Sequence, residues 1–414
     1  MKLKYFQQND FYGGIIIMSK FAVLGHGVVG SGVVELFYKN KNSILKKAGT
    51  DMDIKYILDL RDFPDSPYAE KFTKDFNDIL NDDEVTVVAE CMGGVEPAFT
   101  FVKSCLEKGK SVCTSNKELV AEKGDILLSI AKEKNCNFFF EASVGGAIPI
   151  IRPLHKCLAG NDITEVAGIL NGTTNFILTK MYNDKMSFED ALKLAQELGY
   201  AEKDPTADVE GHDACRKICI ISSLIFGKHV YPKNVFTKGI SKVNLADVAT
   251  ADNMGYAVKL IASFKKLENG KILPAVMPML IPFENIISKV DDVFNAVLVT
   301  GDGFDKAMFY GRGAGKLPTA SAVMGDIIDA AKHKVNVFSQ SWESASDDSF
   351  IECVESFTAK WYFRTAEKNI SEYADGEITD ANGETAFISK EMTFAQAKAL
   401  EEKLSASAVI PVLA

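Results

Sequence analysis

The sequence predicts an α/β protein whose first part is built on a parallel sheet. β-Rich runs alternate with helical patterns from residue 20 to about 150, which is typical of parallel strands joined by helices that cover both sheet faces. After about residue 146 the helical patterns become longer, which indicates a second, α+β region. The total of 414 residues also exceeds what one core usually organises, since cores stop growing near ~250–300 residues.

The composition excludes several classes of protein. With 47% hydrophobic and 25% charged residues, the chain can build large cores and is neither mostly disordered nor collagen-like. No apolar run approaches the ~18–20 residues of a membrane-spanning helix. A net charge of −10 without a long basic run argues against nucleic-acid binding. Eight cysteines without regular spacing indicate free thiols in a reducing cytoplasm.

Residues 18–150 are predicted to form the parallel-sheet domain. The alternation places strands at 20–24, 54–60, 86–91, 110–115 and 136–142, and helices at 28–48, near 97–109 and near 118–134. Residues 1–17 lack the features of an export signal. Either translation begins at Met18, or these residues are a frayed extension.

Residues 151–310 are predicted to form the second, α+β domain. A strand near 163–170 is followed by a helix opened by the capping-box-like SFED at 187–190, a helix over 213–226, and strand-like segments at 258–264, 271–281 and 295–300. A glycine-rich turn at 311–315 and a helix opening at Pro318-Thr319 then return to the first domain. Residues 311–335 therefore complete that domain.

Residues 340–414 are predicted to form a small α+β appendage. A polar, acidic linker, SQSWESASDDS, opens it, and β-rich runs FTAKWYFR, TAFISKEM and VIPVL flank a helix over 393–404. The stretch ADGEITDANGET at 374–385 is interpreted as a hairpin or loop. There is no internal repeat.

The first strand–helix junction reads GHGVVG at 25–30 and matches GxGxxG in the context that dinucleotide binding requires. Gly25 permits a tight turn, Gly27 lets the backbone approach a pyrophosphate, and Gly30 allows close contact between helix and sheet, while the helix N-terminus offers free N–H groups. We therefore expect Gly25, His26, Gly27, Val28, Val29 and Gly30 to bind a nicotinamide dinucleotide. The alternative is an ordinary glycine-containing turn.

The end of the second strand offers determinants of both nicotinamide cofactors. Asp59 suits the ribose hydroxyls of NAD, whereas Arg61 suits the 2′-phosphate of NADP. We favour NADP weakly. In the alternative interpretation both residues are only solvated ends of a strand.

Two further segments carry groups suited to carbonyl chemistry. TSNK at 114–117 places Lys117 at the rim where open α/β sheets bind ligands, and its ammonium could protonate or orient a carbonyl oxygen; otherwise it solvates a loop. Asp213 and Lys217 stand one helical turn apart, which fits an ordinary ion pair. Yet the apolar run ICIISSLIFG follows, so these charges are expected to line a cleft.

Together these motifs make the chain similar to homoserine dehydrogenases. The family's order and spacing are matched over about 18–335 by GHGVVG at 25–30, ECMGG at 90–94, TSNK at 114–117, EASVGGAIPI at 141–150, ILNGTTNFI at 169–177, LGYAEKDPTADVEGHDACRK at 198–217 and GRGAGKLPTASAV at 311–323. The resemblance implies NAD(P)-dependent interconversion of L-aspartate 4-semialdehyde and L-homoserine, on the route to threonine and methionine. It also implies a homodimer or tetramer whose second domain binds substrate and forms the dimer.

The resemblance also implies roles for individual residues. It assigns catalysis to Lys117, Lys217 and Asp213, and recognition of the substrate ammonium to Glu202 and Asp208. NGTTN at 171–175 joins a strand to a helix, and the N–H groups and hydroxyls there, including those of Gly172 and Thr173, suit a small zwitterion. Plain capping of the following helix is compatible with this role. The resemblance adds Gly93, Ser115, Lys117 and Gly315 to the cofactor-binding residues. It places a Na⁺ or K⁺ ion on Glu141 and on carbonyls such as those of Val144 and Gly146.

Two other functions are compatible with part of the pattern. A related dehydrogenase acting on another small amino-acid aldehyde or imine would keep GHGVVG but has no need for NGTTN with the acidic stretch. A non-catalytic NADP-sensing protein would lose Lys117 or Asp213. The five histidines form no ligand cluster, and Cys215 with Cys219 is better explained by buried packing than by a metal.

The C-terminal segment resembles an ACT domain, a small effector-binding module of many relatives, that has lost part of its fold. WYFRTAEKNI at 361–370 resembles that domain's opening strand, but the helix that should follow is missing. An effector's carboxylate would then lack a helix N-terminus to bind. We expect a degenerate module that adds a packing or dimer surface, and no response to millimolar threonine.

Overall fold

A computed structural model describes residues 19–337, 341–381 and 383–413. The predicted α/β class is confirmed by a six-stranded, fully parallel sheet in the order β3-β2-β1-β4-β5-β6. Its strands are β1 (Ser19–Leu24), β2 (Met52–Leu58), β3 (Phe72–Thr73), β4 (Val85–Glu90), β5 (Ser111–Thr114) and β6 (Phe138–Phe139). The interpretation of residues 1–17 falls outside the described ranges.

Helices connect these strands. They are α1 (Val28–Lys39), α2 (Lys41–Ala48), α3 (Phe76–Leu80), α4 (Ala98–Glu107) and α5 (Lys117–Glu133). The single helix expected at 28–48 is wrong, because Asn40 adopts φ −113° and ψ 16° and divides it into two. Short β3 and α3 were not predicted, since two- to five-residue elements show no periodicity.

The second sheet follows after residue 153 and has the order β12-β11-β7-β9-β10-β8. Its strands are β7 (Ile163–Ile169), β8 (Phe236–Thr237), β9 (Tyr256–Lys266), β10 (Ile272–Pro282), β11 (Phe294–Gly301) and β12 (Asp305–Arg312). Its helices are α6 (Gly172–Asn183), α7 (Phe188–Glu197), α8 (Thr206–Val209), α9 (His212–Phe226) and α10 (Leu245–Asn253). All pairs except β8–β10 are antiparallel.

Helix α11 (Lys316–Lys332) then packs on the first sheet. It begins two residues before Pro318, and its apolar side chains join the core beneath α1. The two helices approach closely, because a Cβ atom at Gly32 would lie 2.8 Å from the Lys316 carbonyl oxygen.

The remaining described residues form a smaller sheet of order β15-β16-β14-β18 with one covering helix. The elements are β13 (Thr358–Ala359), β14 (Trp361–Thr365), β15 (Ala374–Ala381), β16 (Glu384–Ser389), β17 (Met392–Thr393), α12 (Phe394–Leu404) and β18 (Ala408–Pro411). No helix lies between β14 and β15, where the described chain forms turns at 371–373. The hairpin expected near 374–385 is the antiparallel pair β15–β16.

A tryptophan anchors the connection to this smaller sheet. Trp342 packs against Gly124 of α5, where a Cβ atom would lie 2.6 Å from its Cζ2 atom. Its indole Nε1–H donates to Nδ1 of His229 at 2.8 Å, and Nε2 of His229 lies 2.8 Å from the Ala121 carbonyl oxygen. Burial lowers the pKa of His229, against the nearby Asp125 carboxylate, and favours the neutral ring that this arrangement requires.

Candidate active site

The glycines of GHGVVG have the geometry that a dinucleotide loop needs. Gly25 has φ +88°, and a Cβ atom at Gly30 would lie 1.8 Å from the Gly25 carbonyl oxygen. By contrast, a Cβ atom at Gly27 would meet no atom within 4 Å. Turn and helix are therefore packed as tightly as only glycine permits, and the space beside Gly27 is open for a phosphate.

Asp59 and Arg61 form one unit at the end of β2. The Arg61 Nε–H and backbone N–H each donate to Asp59 Oδ1 at 3.0 Å, and its Nη2 donates to Oδ2 at 2.9 Å. The His26 backbone N–H also donates to Oδ2, at 2.8 Å. The Arg61 hydrogen bonds hold the pKa of Asp59 well below its usual range. Arg61 nevertheless keeps 63% of its side chain exposed.

A cavity of about 390 Å³ opens beside this unit. It is lined by Gly25, Leu58, Asp59, Leu60, Arg61, Lys74, Phe76, Met92, Pro97 and Phe101. The rings of Phe76 and Phe101 stack at 4.1 Å and give it an apolar wall. An apolar slot with charged groups at its mouth fits an adenine and its ribose.

The other residues of the glycine loop take different positions. Val28 is 67% exposed, whereas Val29 is partly buried against the core of the first sheet. The His26 ring packs edge-on against Phe63 and Phe72. The ring and the backbone N–H of His26 are therefore both engaged within the protein.

A second loop, at the end of β4, faces the turn before α5. Gly93 has open space where a Cβ atom would stand. The Ser115 backbone N–H donates to the Glu90 carbonyl oxygen at 3.2 Å. Asn116 caps α5 by accepting a hydrogen bond from Leu119 N–H at 3.0 Å, so Lys117 is the first residue of the helix.

Asp213 brings the predicted catalytic residues together. The Lys117 Nζ atom lies 2.6 Å from its Oδ1 atom, and the Lys217 Nζ atom donates to Oδ2 at 2.8 Å. Lys217 also donates to the Leu170 carbonyl oxygen at 2.7 Å. The side chains of Asp213 and Lys217 are only 5% and 7% exposed, so this is a buried pair rather than an ordinary surface pair.

Asn171 joins Asp213 to Asp208. Its Nδ2 donates to Asp208 Oδ1 at 2.7 Å and to Asp213 Oδ2 at 2.9 Å. Its Oδ1 accepts from Thr174 N–H at 2.8 Å and caps α6. Sequence reasoning treated NGTTN as a cap and a source of N–H groups, and missed this side-chain link. The only signal was the position of Asn171 at the start of that motif.

The pKa values of the ionisable groups in this cluster shift in different directions. Burial raises the pKa of Asp213, but Lys217 and Lys117 outweigh it and the pKa falls well below the usual range. The Asp213 carboxylate raises the pKa of Lys117, whereas burial lowers the pKa of Lys217. Burial and the Asp213 charge raise the pKa of Asp208. Lys117 therefore stays protonated, and 42% of its side chain is exposed.

The remaining predicted substrate residues lie at different distances from the cluster. A Cβ atom at Gly172 would lie 2.8 Å from the Val293 carbonyl oxygen, so this position tolerates no side chain. The Thr173 hydroxyl donates to the Tyr200 carbonyl oxygen at 2.7 Å. Glu202 is exposed, and among the described residues no side-chain hydrogen bond joins it to Asp208 or Asp213.

The predicted cation loop is tightly built. The Glu141 carboxylate accepts hydrogen bonds from the backbone N–H groups of Ile150, Ile151 and Arg152 at 2.6, 2.9 and 2.8 Å. Gly146 has φ +57° and lies against Gly313. Within the described chain, the carbonyl oxygens of Val144 and Gly146 accept no backbone hydrogen bond, so they are free for a monovalent cation.

Gly315 brings a further loop to the cofactor cleft. It has φ +121° and immediately precedes α11. The next residue, Lys316, pairs with Glu35 of α1 at 2.6 Å, so this turn lies beside the helix that follows GHGVVG. All eight cysteines are free. Among the residues that the structure describes, no cluster of histidine, cysteine and carboxylate side chains could hold a metal ion, and no helix could span a membrane.

Comparisons with known proteins agree on one family. The model for the NAD-binding domain of homoserine dehydrogenase matches residues 25–141, and the homoserine dehydrogenase model matches residues 149–328. The homoserine dehydrogenase of Bacillus subtilis is 42% identical over 319 residues, covering 76% of this chain and 73% of the relative. That of Synechocystis is 40% identical, covering 81% and 77%.

Solved structures give the same result. A homoserine dehydrogenase from Thiobacillus denitrificans superposes with a TM-score of 0.87 at 32% identity, covering 96% of this chain and 98% of that one. A hyperthermophilic archaeal homoserine dehydrogenase in complex with NADPH superposes with a TM-score of 0.63 at 27% identity, covering 76% and 97%.

Proposed function

Because this chain belongs to the homoserine dehydrogenase family, we propose that the cluster around Asp213 is where it interconverts L-homoserine and L-aspartate 4-semialdehyde. The chain is an oxidoreductase with an NAD(P)-binding domain. The observation that carries the proposal is the contact of Lys117 and Lys217 with one buried carboxylate, 2.6 and 2.8 Å away. Neither another dehydrogenase nor a non-catalytic NADP sensor is favoured by the matches.

The two lysines have different roles in this proposal. A nicotinamide cofactor, when bound, would supply hydride exchange with C4 of the substrate. Burial lowers the pKa of Lys217, so its neutral amine takes the hydroxyl proton of homoserine and becomes an ammonium, which returns that proton in the reverse direction. Lys117, whose pKa is raised, stays charged and stabilises the negative oxygen. Asp213 holds the Nζ atoms of both lysines in place.

Asp208 provides the recognition site for the substrate ammonium. Its carboxylate is oriented by Asn171. Burial raises the pKa of Asp208, and a cation beside the carboxylate would lower that pKa again. Glu202 is proposed as a second carboxylate that reaches the ammonium from the exposed side. The N–H groups of Gly172 and Thr173 at the start of α6 are suited to the substrate carboxylate.

The cofactor lies along the GHGVVG loop, with NADP favoured over NAD because Arg61 is exposed and held by Asp59. Gly93, Ser115 and Gly315 line its nicotinamide half. Carbonyl oxygens of Val144 and Gly146 hold Na⁺ or K⁺, while the Glu141 carboxylate fixes the loop that carries them. The protein serves threonine and methionine formation in the cytoplasm as a dimer or tetramer.

Initial rates test this function directly. We expect L-homoserine-dependent reduction of NADP, slower reduction of NAD, and a rate that rises when K⁺ or Na⁺ is added. Glu202→Gln should mainly raise the KM for homoserine, because it removes one partner of the ammonium. Absence of activity with both cofactors would overturn the proposal, and an unchanged KM would remove Glu202 from it.

A further inference from the structure

A fully buried carboxylate that the mechanism above does not use lies at the end of β4. Glu90 is 0% exposed. It is flanked by Leu24 of β1 and Thr114 of β5 in the sheet register. Burying a carboxylate is unfavourable unless it is well bonded, and no ion pair to Glu90 exists among the described residues. Its position therefore needs an explanation.

The bonds of Glu90 close a ring between two loops. Its Oε1 atom accepts from Met92 N–H at 2.7 Å, and its Oε2 atom accepts from the Thr114 hydroxyl. The Thr114 Oγ1 atom accepts from Asn116 N–H at 2.9 Å. The Asn116 Nδ2 donates back to the Gly94 carbonyl oxygen at 2.7 Å. The loop after β4 is thus tied to the turn that begins α5.

An ionised carboxylate at Glu90 fixes which groups of this ring donate and which accept hydrogen bonds. Because it only accepts hydrogen bonds, it fixes the Thr114 hydroxyl as a donor and leaves a Thr114 lone pair for Asn116 N–H. Burial raises the pKa of Glu90 to about 7, while the hydrogen bonds from Thr114 and Met92 favour the ionised form. An amide at this position would present donor hydrogens to Thr114 and allow a second arrangement of the ring.

The ring ends next to the reacting groups. Asn116 caps α5, and the next residue is Lys117, whose Nζ atom lies 2.6 Å from Asp213. The other side of the ring is the Met92–Gly94 segment, which lines the cofactor cleft through Met92. We propose that Glu90 is a positioning residue of the reaction: through Thr114 and Asn116 it fixes the position of Lys117 relative to the Met92–Gly94 segment. This inference rests on the proposed role of Lys117.

Variants of the ring test the proposal in the full-length protein. Glu90→Gln and Thr114→Val should each lower kcat by about 10- to 100-fold, because small misplacements of a reacting group have effects of this size. The KM for homoserine and the Kd for NADPH should change by less than about twofold, since no substrate or cofactor contact is removed. The double variant should be no slower than the slower single variant, because both break one ring.

Two further variants separate positioning from stability. Thr114→Ser keeps the hydroxyl and should restore most of the turnover that Thr114→Val loses. Thr86→Val, on β4 like Glu90, removes the hydrogen bond between Thr86 and Ser19 and should leave kcat unchanged. If Glu90→Gln does not fold, Thr114→Val with its serine counterpart gives the same decision.

The outcomes are distinct from those of the proposed function. An inactive wild-type protein would overturn the function, and the positioning role with it. An active wild type in which Glu90→Gln and Thr114→Val keep normal kcat would overturn only the positioning role. Loss of kcat that Thr114→Ser fails to restore would also overturn it, because the hydroxyl would then not be the connecting group.

Discussion

At the scale of single residues, Lys117 and Lys217 share one carboxylate but occupy different environments. We expect Lys117→Ala and Lys217→Ala each to lower kcat by at least about 10²-fold, as loss of a positioned acid–base group does, while the Kd for NADPH stays nearly constant. Steady-state kinetics and a nucleotide titration provide the measurements. Lys103→Ala is the matched control, because Lys103 forms an exposed i, i+4 pair with Glu107. Normal turnover in either active-site variant would remove that lysine from the mechanism.

Arg61 decides cofactor preference at the same scale. Arg61→Ala should weaken NADPH binding by about tenfold or more and NADH binding much less, because only NADPH carries the phosphate that a guanidinium grips. Fluorescence titrations of both nucleotides measure this. Lys55→Ala, on strand β2, which ends three residues before Arg61, serves as the control, since Lys55 pairs with Asp82 and Glu84. Equal losses for both nucleotides would show that Arg61 only ends the strand.

The sequence identified most of the residues in the Asp213 cluster, but not the bonds between them. Asp213 and Lys217 were predicted because charged residues beside an apolar run must find partners. Lys117 was predicted from its place at the end of a sheet strand, and Asp208 from the family resemblance. The amide link through Asn171 and the ring around Glu90 were missed. Each joins residues more than 20 positions apart, and no local pattern encodes such pairings.

At the scale of elements, predictions succeeded where periodicity was long and failed where geometry was local. Five of the six strands of the first sheet, all except the two-residue β3, and the helices α5 and α9 were found within a few residues. Strand β12 was missed, because its last residues, Gly311 and Arg312, belong to the glycine-rich GRGAG that predicted a turn. They pair with Asn295 and Phe294 of β11, and strand pairing overrides the local preference of glycine.

The contact between α5 and Trp342 gives a prediction for this scale. Gly124→Ala should destabilise the protein by about 1–3 kcal/mol, because a Cβ atom there overlaps a rigid indole and this exceeds the gain in helix propensity. Urea unfolding measures the change. Gly160→Ala, where a Cβ atom meets open space, should stay within about 0.5 kcal/mol. A stable Gly124→Ala variant would mean that Trp342 is not held against α5.

At the scale of the whole molecule, the C-terminal sheet packs on the catalytic part without the helix that an effector would need. Val354, Phe357 and Leu413 cover one face of the second sheet. We therefore expect 10 mM L-threonine to leave the initial rate of homoserine oxidation essentially unchanged. L-Serine at the same concentration controls for non-specific effects. Strong, threonine-specific inhibition would show that an effector site survives in another form.

The return of α11 to the first sheet has a consequence for how the chain is made. Phe21, Val33 and Phe37 share their core with Ala320, Val323 and Met324, yet roughly 180 residues separate β6 from that part of α11. At ribosomal rates of about 5–20 residues per second, helix α11 is synthesised about ten to forty seconds after the sheet whose apolar face it covers. The nucleotide domain therefore cannot finish folding before the second domain has been synthesised. During that interval this apolar face stays exposed to solvent.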